Sequence, residues 1–181
     1  MGTTPEQVKS LERLAAKCGF ALIEGVSGAD IPTLRTLIAF ILVHYQSGDH
    51  VLDGVIRTIR GGSHEVRFSP IIVISDDCDF ETVLRYVHLG VDDVISLPEN
   101  RDILIRRFAS QLSAEHLYIE TSSYFGPDRR RLDVDPDDVR RVGMAGHARY
   151  HFRRLPDVGI VIVRHEIHPG PHFQPKVHFA A

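Results

Sequence analysis

The stretch "IIVISDDCDFETVLRYVHLGVDDVISLPEN", residues 71–100, decides the fold class. It begins with a run of β-branched apolar residues, which is typical of a strand buried on both faces of a parallel sheet. Residues 79–90 then carry apolar side chains at helical spacing and end at Gly90, a residue type that often terminates helices. A second apolar segment follows at 91–97. The stretch therefore predicts a strand, a helix and a second parallel strand.

The same alternation of helices and strands extends over residues 4–113. The predicted helices cover about 4–18, 27–37, 49–60, 79–90 and 100–112, and the predicted strands cover 20–26, 38–45, 70–75 and 91–97. Strict alternation favours βαβ units with right-handed crossovers around a parallel sheet sandwiched by helices. We therefore expect a flavodoxin-like α/β fold, for which the strand order is 2-1-3-4-5.

The charge balance divides the chain. Residues 1–128 carry 11 basic and 18 acidic side chains, a net charge of −7, whereas residues 129–181 carry 10 and 6, a net charge of +4. Because the helix–strand alternation ends at 113, we predict an α/β domain over 1–113 and a basic extension, with β-strands, over 114–181.

The composition indicates a soluble cytoplasmic protein. An apolar content of 43% with 25% charged residues is ordinary for a globular chain. Cys18 and Cys78 do not form a metal-binding or disulfide pattern, which favours a reducing compartment. The first residues lack the apolar core of a signal peptide, and no apolar run has membrane-spanning length. No membrane partner is expected.

The order and spacing of these segments resemble the receiver (CheY-like) domain of response regulators over about residues 5–113. Residues 71–100 are similar to the second half of that family. Ser75 and Leu97 are 22 residues apart, the spacing of the family's hydroxyl residue and its lysine, and Pro98 stands where the family's Lys-Pro pair ends. The resemblance implies a flavodoxin-like fold and a role in phosphorelay signal transduction by two-component systems.

The resemblance also implies a phosphorylated aspartate, which this sequence lacks. His44 or Tyr45 stands at the place of that aspartate, Ser75 at the hydroxyl position and Leu97 at the lysine position. An apolar side chain cannot form the charge-assisted hydrogen bonds that hold a phosphoryl oxygen. We therefore predict a degenerate phosphorylation site at His44, Ser75 and Leu97, a pseudo-receiver, with Asp49 as the alternative of a displaced acceptor.

The family's first strand and its metal-binding acidic pair have no counterpart, so we expect neither a metal nor a cofactor. An empty position at the centre of a sheet would leave backbone groups unpaired. One hypothesis inserts residues 158–166 there as a parallel strand, with Glu166 near the former metal site. The alternatives are a strand from a partner, or a hairpin of 148–155 with 159–166 outside the parallel sheet.

The resemblance implies docking through the family's fourth helix, fifth strand and fifth helix, here about residues 80–112. The partner would be a histidine kinase, another response regulator or a second copy of the chain in a homodimer. The residues expected to be exposed on this face are Tyr86, His88, Arg101 and Arg106.

Arginines are concentrated in the extension. The residues predicted as an anion-binding set are Arg129, Arg130, Arg131, Arg153 and Arg154. They suggest either a nucleic acid or cyclic dinucleotide ligand or an extension that folds back onto the acidic part, and the second is favoured. Arg130 and Asp133 fit an R-x-x-D pattern similar to cyclic-di-GMP sites, but such short matches are common by chance.

Catalytic patterns are missing. There is no Ser-His-Asp order, Walker loop or nucleophile elbow, so no enzymatic activity is predicted. Histidine pairs such as His147 and His151, or His165 and His168, have spacings that can hold zinc or copper. A small metalloenzyme is therefore the remaining alternative, although no thiolate supports it.

Overall fold

The computed structural model describes residues 1–26, 38–76, 79–129, 146–171 and 173–175. The predicted helix at 27–37 lies outside these ranges. So do Arg130 and Arg131, two members of the predicted anion-binding set, and the R-x-x-D pattern to which Arg130 belongs.

A parallel sheet forms the centre of the α/β part. Its strands are β1 (Ile41–His44), β2 (Ile71–Ser75) and β3 (Asp93–Ser96), hydrogen-bonded in the order β1-β2-β3. The middle strand is buried at every position, as its uninterrupted apolar sequence predicts. The strands that the sequence predicts between residues 38 and 97 are thus confirmed, each in a shorter form.

Helices cover both faces of this sheet. They are α1 (Pro5–Lys17), α2 (Asp49–Arg60), a short α3 (His64–Arg67), α4 (Phe80–Leu89) and α5 (Arg101–Ser113). Successive strand residues point to opposite faces, so Ile71 and Val73 join a core with α2 and α4. Ile72 and Ile74 join a second core with α1 and α5. The predicted α/β sandwich is confirmed.

The ends of these helices follow local rules. Thr4 and Gln7 form a capping box at the start of α1, which satisfies backbone N–H groups that have no partner within the helix. Gly90 ends α4 with φ 108°, in the left-handed region that favours glycine. Asp79 caps the same helix by accepting a hydrogen bond from the backbone N–H of Thr82 at 2.7 Å.

The predicted strand at 20–26 is wrong. Residues 20–26 form no strand, and Leu22 is 70% exposed. The N–H of Phe20 donates to the carbonyl of Ala15 at 3.2 Å, and the carbonyl of Val26 accepts from the N–H of Gly2 at 3.2 Å. A strand needs a ladder of backbone hydrogen bonds to a neighbouring strand. Residues 20–26 do not form such a ladder.

Met1 lies against the edge of β1 that faces away from β2. Its carbonyl accepts a hydrogen bond from the N–H of His44 at 3.0 Å, and its amino group donates to the carbonyl of Leu42. The described residues contain no fourth parallel strand at this edge. The resemblance implies a first strand on this side of β1. Among the described residues, Met1 lies there instead.

The C-terminal part forms an antiparallel sheet. Its strands are β4 (His116–Glu120), β5 (Phe125–Pro127), β6 (His147–Leu155) and β7 (Gly159–His168), in the order β5-β4-β6-β7. The insertion of residues 158–166 into the parallel sheet is therefore wrong and the hairpin is confirmed. The three-residue connection between β6 and β7 explains this, because so short a link joins antiparallel neighbours.

Phe68 joins the two sheets. It follows α3 directly and is fully buried. Its ring contacts four aromatic rings of the antiparallel sheet at centroid distances of 4.5 to 5.8 Å, those of Tyr118, Phe125, Tyr150 and Phe152. Aromatic clusters of this kind bury much apolar area, so the extension shares a core with the α/β part.

A buried carboxylate reinforces this junction. Asp92 lies between α4 and β3, and one of its oxygens accepts from the guanidinium of Arg154 at 2.8 Å. Its other oxygen accepts from Arg60 at 2.8 Å and from the backbone N–H of Ile71 at 2.8 Å. The hydroxyl of Tyr118 also donates to this carboxylate. Residues from both sheets therefore converge on one buried negative charge.

The two arginines also donate hydrogen bonds to other acceptors inside the protein. Arg154 donates to the carbonyl of Phe68 at 2.8 Å and to the side chain of Gln111 at 2.9 Å. Arg60 donates to the carbonyl of Ser69 at 2.7 Å. Burial acts to raise the pKa of Asp92, but Arg154 and Arg60 outweigh it and the pKa is lowered. The carboxylate is therefore charged, and the extension folds back onto the acidic part at this point.

Asp92→Asn removes the negative charge between two buried guanidinium groups. We expect the free energy of unfolding to fall by about 3–5 kcal/mol, since an unpaired buried charge is costly. Urea unfolding followed by circular dichroism measures this change.

The matched control is Arg85→Gln, which breaks the exposed ion pair between Arg85 and Asp49, whose side chains are 52% and 50% exposed. Its effect is expected to stay within about 1 kcal/mol. A loss of that small size for Asp92→Asn would contradict the role given to this carboxylate.

Candidate functional site

The carboxyl ends of the three parallel strands bring the predicted site residues to one edge. β1 ends at His44 and β2 ends at Ser75, while Leu97 follows the end of β3. In the register of the sheet, Ser75 lies opposite Ser96. The backbone N–H of Leu97 donates to the carbonyl of Ser75 at 2.6 Å. This edge is where parallel α/β sheets usually bind ligands.

His44 presents a neutral imidazole at this edge. Its Nδ1 accepts a hydrogen bond from the backbone N–H of Gln46 at 3.3 Å, and its ring stacks on that of Tyr45. Burial lowers the pKa of His44, and the nearby Asp76 raises it only in part. The position that holds a carboxylate in the receiver family thus carries no negative charge here.

Ser75 and Leu97 provide little polar chemistry. Ser75 is fully buried, so its hydroxyl does not reach the surface. Leu97 packs against the core formed with α1 and α5. Together with His44 these residues supply neither the acceptor carboxylate nor the cation that hold a phosphoryl group in the family.

Two of the described carboxylates near this edge, Asp49 and Asp76, have side-chain partners. Asp49, the alternative acceptor, begins α2 and accepts a hydrogen bond from Arg85 of α4 at 2.6 Å. Asp76 accepts one from the hydroxyl of Tyr45 at 3.2 Å. Within the described ranges, no three His, Cys, Asp or Glu side chains are grouped so that they could hold a metal ion.

The predicted interaction face is partly buried. Tyr86 is only 5% exposed because it lies on the side of α4 that packs into the core with α2, so its predicted exposure is wrong. His88 is half-buried, whereas Arg101 and Arg106 are exposed. Sequence reasoning missed Phe80, which is 78% exposed at the start of α4. An apolar residue next to a helix cap is normally assigned to the core, so no sequence signal marked it.

The described members of the predicted anion-binding set, Arg129, Arg153 and Arg154, do not form one surface. Arg154 is fully buried and bound to Asp92, so its predicted exposure to a ligand is wrong. Arg153 points the other way, because successive strand residues face opposite sides, and it is 52% exposed. Arg129 lies over the ring of Tyr124 at 3.9 Å. Arg164, which sequence reasoning did not include, is 67% exposed on the neighbouring strand.

Comparison with known proteins gives likenesses to solved structures. No protein-family model matches the chain, and no curated protein matches it. The chain is similar to the solved signal receiver domain of a signal transduction histidine kinase from Syntrophus aciditrophicus, with 20% identity and a TM-score of 0.43. The match covers 61% of this chain and 86% of that one. The α/β architecture is established by the parallel strands and helices of this chain.

None of the helices in the described part of the chain is long and apolar enough to cross a membrane.

Acidification is expected to destabilise the protein through its half-buried imidazoles. Burial lowers the pKa of His44, His64 and His116 below the ordinary value of 6.5. Between the lowered pKa and 6.5 the unfolded chain binds more protons than the folded chain, so the free energy of unfolding falls as the pH falls through this window. Urea unfolding at pH 7.5 and pH 5.5 tests this sign.

His44→Gln serves as the comparison, because it removes one of the contributing imidazoles. The variant is expected to lose less stability than the wild type between the two pH values. An equal loss in both proteins, or greater stability at the lower pH, would exclude this account of His44.

Proposed function

We propose that the chain is a two-component signalling module whose receiver-like α/β part acts through protein–protein contacts and not as a phosphorylated switch. The carrying observation is the set of side chains at the carboxyl ends of β1, β2 and β3. They are a neutral imidazole at His44, a buried hydroxyl at Ser75 and an apolar side chain at Leu97. We propose no enzymatic activity, and the cysteine content continues to favour the cytoplasm.

The environment of Asp49 supports the absence of a switch. Its carboxylate is already paired with Arg85 at 2.6 Å, and this pair connects the start of α2 to α4. Phosphorylation at Asp49 would have to break this contact, and Leu97 stands at the position where the resemblance implies a lysine to bind the product. The pair therefore fits a surface contact between helices better than an acceptor site.

The position of the antiparallel sheet supports docking at the opposite end of the α/β part. Its anchor, Asp92, precedes β3 and bonds to Ile71, the first residue of β2. The extension therefore packs at the amino ends of the parallel strands. The carboxyl ends of β1, β2 and β3 lie at the other edge, away from this anchor.

The proposed docking surface uses exposed residues of α4 and α5. Phe80 offers an apolar side chain, and Arg101 and Arg106 offer positive charge. Arg101 also donates to the carbonyl of Lys17 at 2.9 Å, which holds part of this surface in place. A partner with an acidic rim around an apolar centre would fit, and we propose a histidine kinase, another response regulator or a second copy of the chain.

The alternative is an effector that binds a nucleotide second messenger or nucleic acid through the Arg-rich extension. The predicted set of arginines does not support it as a unit, because Arg154 is buried at the junction of the two sheets. One observation favours this alternative: Arg153 and Arg164 are exposed on the outer surface of β6 and β7.

The proposed loss of the switch is tested with beryllofluoride, a phosphoryl mimic that receiver domains accept, together with Mg²⁺. We expect amide NMR spectra of the labelled protein to show no saturable shifts at His44, Ser75 and Leu97, because these three positions supply neither an acceptor carboxylate nor a lysine. A working receiver domain measured under the same conditions is the positive control.

Saturable shifts clustered at this edge would contradict the proposal. Repeating the titration with Asp49→Asn would then decide whether Asp49 is the acceptor, since only in that case would the shifts disappear.

A further inference from the structure

One surface of the β6–β7 hairpin carries a concentration of positive charge. The inward residues of β6, such as Tyr150 and Phe152, form the aromatic core. The opposite surface, here called the cationic face, is made of Arg149, His151, Arg153, Arg164 and His168, with the carboxylates of Glu115 and Glu166. It is separate from the strand ends that carry the proposed function.

Each carboxylate of the cationic face is shared among several cations. Glu166 lies 3.7 Å from Arg149 and 3.8 Å from His168, and it also contacts Arg164. In the same way Glu115 lies 3.1 Å from His151 and 3.8 Å from Arg153. Two negative charges therefore serve three arginines and two histidines, which leaves excess positive charge even when both imidazoles are neutral.

The register of the hairpin keeps cations close together. His151 lies directly opposite Arg164, and like charges at directly opposed positions of an antiparallel pair are unfavourable when both are charged. Arg153 lies two residues beyond His151 on β6 and opposite Val161, so Arg153 and Arg164 lie on either side of the register shift between His151 and Phe152. These two guanidinium groups are 52% and 67% exposed. An anion placed between them would meet two exposed, incompletely neutralised cations.

We propose that the cationic face binds phosphodiester groups, with Arg153 and Arg164 as the principal contacts and Arg149 beside them. Guanidinium groups match phosphate geometry through paired N–H donors, which favours phosphate over a simple halide. The two separated guanidinium groups fit a ligand with more than one phosphate. Successive phosphates of a single-stranded nucleic acid, or the two phosphates of a cyclic dinucleotide, provide this chemistry.

The proposal is independent of the receiver-like function, because none of its residues lies in the α/β part. It also assigns a distinct role to the carboxylates. Glu115 and Glu166 compete with the ligand for the same guanidinium groups, so removing one carboxylate should strengthen binding. A purely structural set of surface ion pairs would not show this effect.

The test measures fluorescence anisotropy of a labelled single-stranded oligonucleotide, and separately of a labelled cyclic dinucleotide, with the full chain at several salt concentrations. We expect Arg153→Gln/Arg164→Gln to weaken binding about tenfold or more. The slope of log K against log salt should fall by about 1.4, the value for two lost phosphate contacts on a single strand. The matched control, Arg13→Gln/Arg57→Gln, removes the same charge from exposed positions of α1 and α2 and should change the affinity much less.

Glu115→Gln gives a second test, in which the affinity is expected to rise and not to fall. We expect it to tighten binding severalfold, while Glu6→Gln, an exposed acidic residue of α1, should not. Circular dichroism of each variant verifies folding. Inorganic phosphate added as a competitor should displace the bound probe.

The outcomes separate clearly. Binding of either probe that responds to these variants supports the site and identifies the ligand as a strand or a small dinucleotide. Failure of both probes to bind at low salt would overturn the proposal, and so would binding that the Arg153 and Arg164 changes leave intact. Unchanged affinity in Glu115→Gln would overturn it as well. None of these results affects the beryllofluoride test, so the two proposals fail separately.

Discussion

The architecture depends on the buried carboxylate of Asp92, which accepts hydrogen bonds from Arg60 and Arg154. Both guanidinium groups are almost completely buried, so each needs this negative charge and a full set of carbonyl acceptors. Arg60 belongs to the α/β part and Arg154 to the antiparallel sheet. The two sheets are thereby held in one arrangement by a contact whose loss leaves charge unpaired inside the protein.

This contact also determines where function can lie. Because Asp92 and Phe68 hold the extension against the amino ends of the parallel strands, the carboxyl ends of those strands point away from it. The cationic face lies on the side of the hairpin opposite the aromatic core. The proposed docking surface and the proposed phosphodiester site are therefore on different parts of the molecule, and a partner at one does not have to displace a ligand at the other.

Much of the fold is predictable from short-range patterns. The apolar run of β2 and the glycine that ends α4 each have a local physical reason, and both were confirmed. The strand predicted at 20–26 failed because an apolar segment becomes a strand only when a neighbour completes its ladder. Likewise, Arg153 and Arg154 are neighbours on β6 and point to opposite sides. The sequence alone does not show which of the two points into the core, because that depends on how β6 packs. The Asp92 contact joins residues 60, 92 and 154, and no local pattern indicates such a distant combination.

The candidate site was predictable to a different degree. The spacing from Ser75 to Leu97 brought both residues to the expected edge, because β2 and β3 are parallel neighbours. The burial of Tyr86 and the exposure of Phe80 depend on how α4 is rotated against the sheet. That rotation is a property of packing, so the composition of the docking surface could not be read from the chain.

The central claim is that the parallel and antiparallel sheets form one cooperative unit around Asp92. Native-state hydrogen exchange tests it most directly, by comparing the free energies of opening for backbone amides in β2 and in β6. The account predicts that the most protected amides of both strands exchange with the same free energy, equal to that of global unfolding. A clearly lower free energy for β6, with β2 still protected, would show that the extension opens by itself and would contradict the claim.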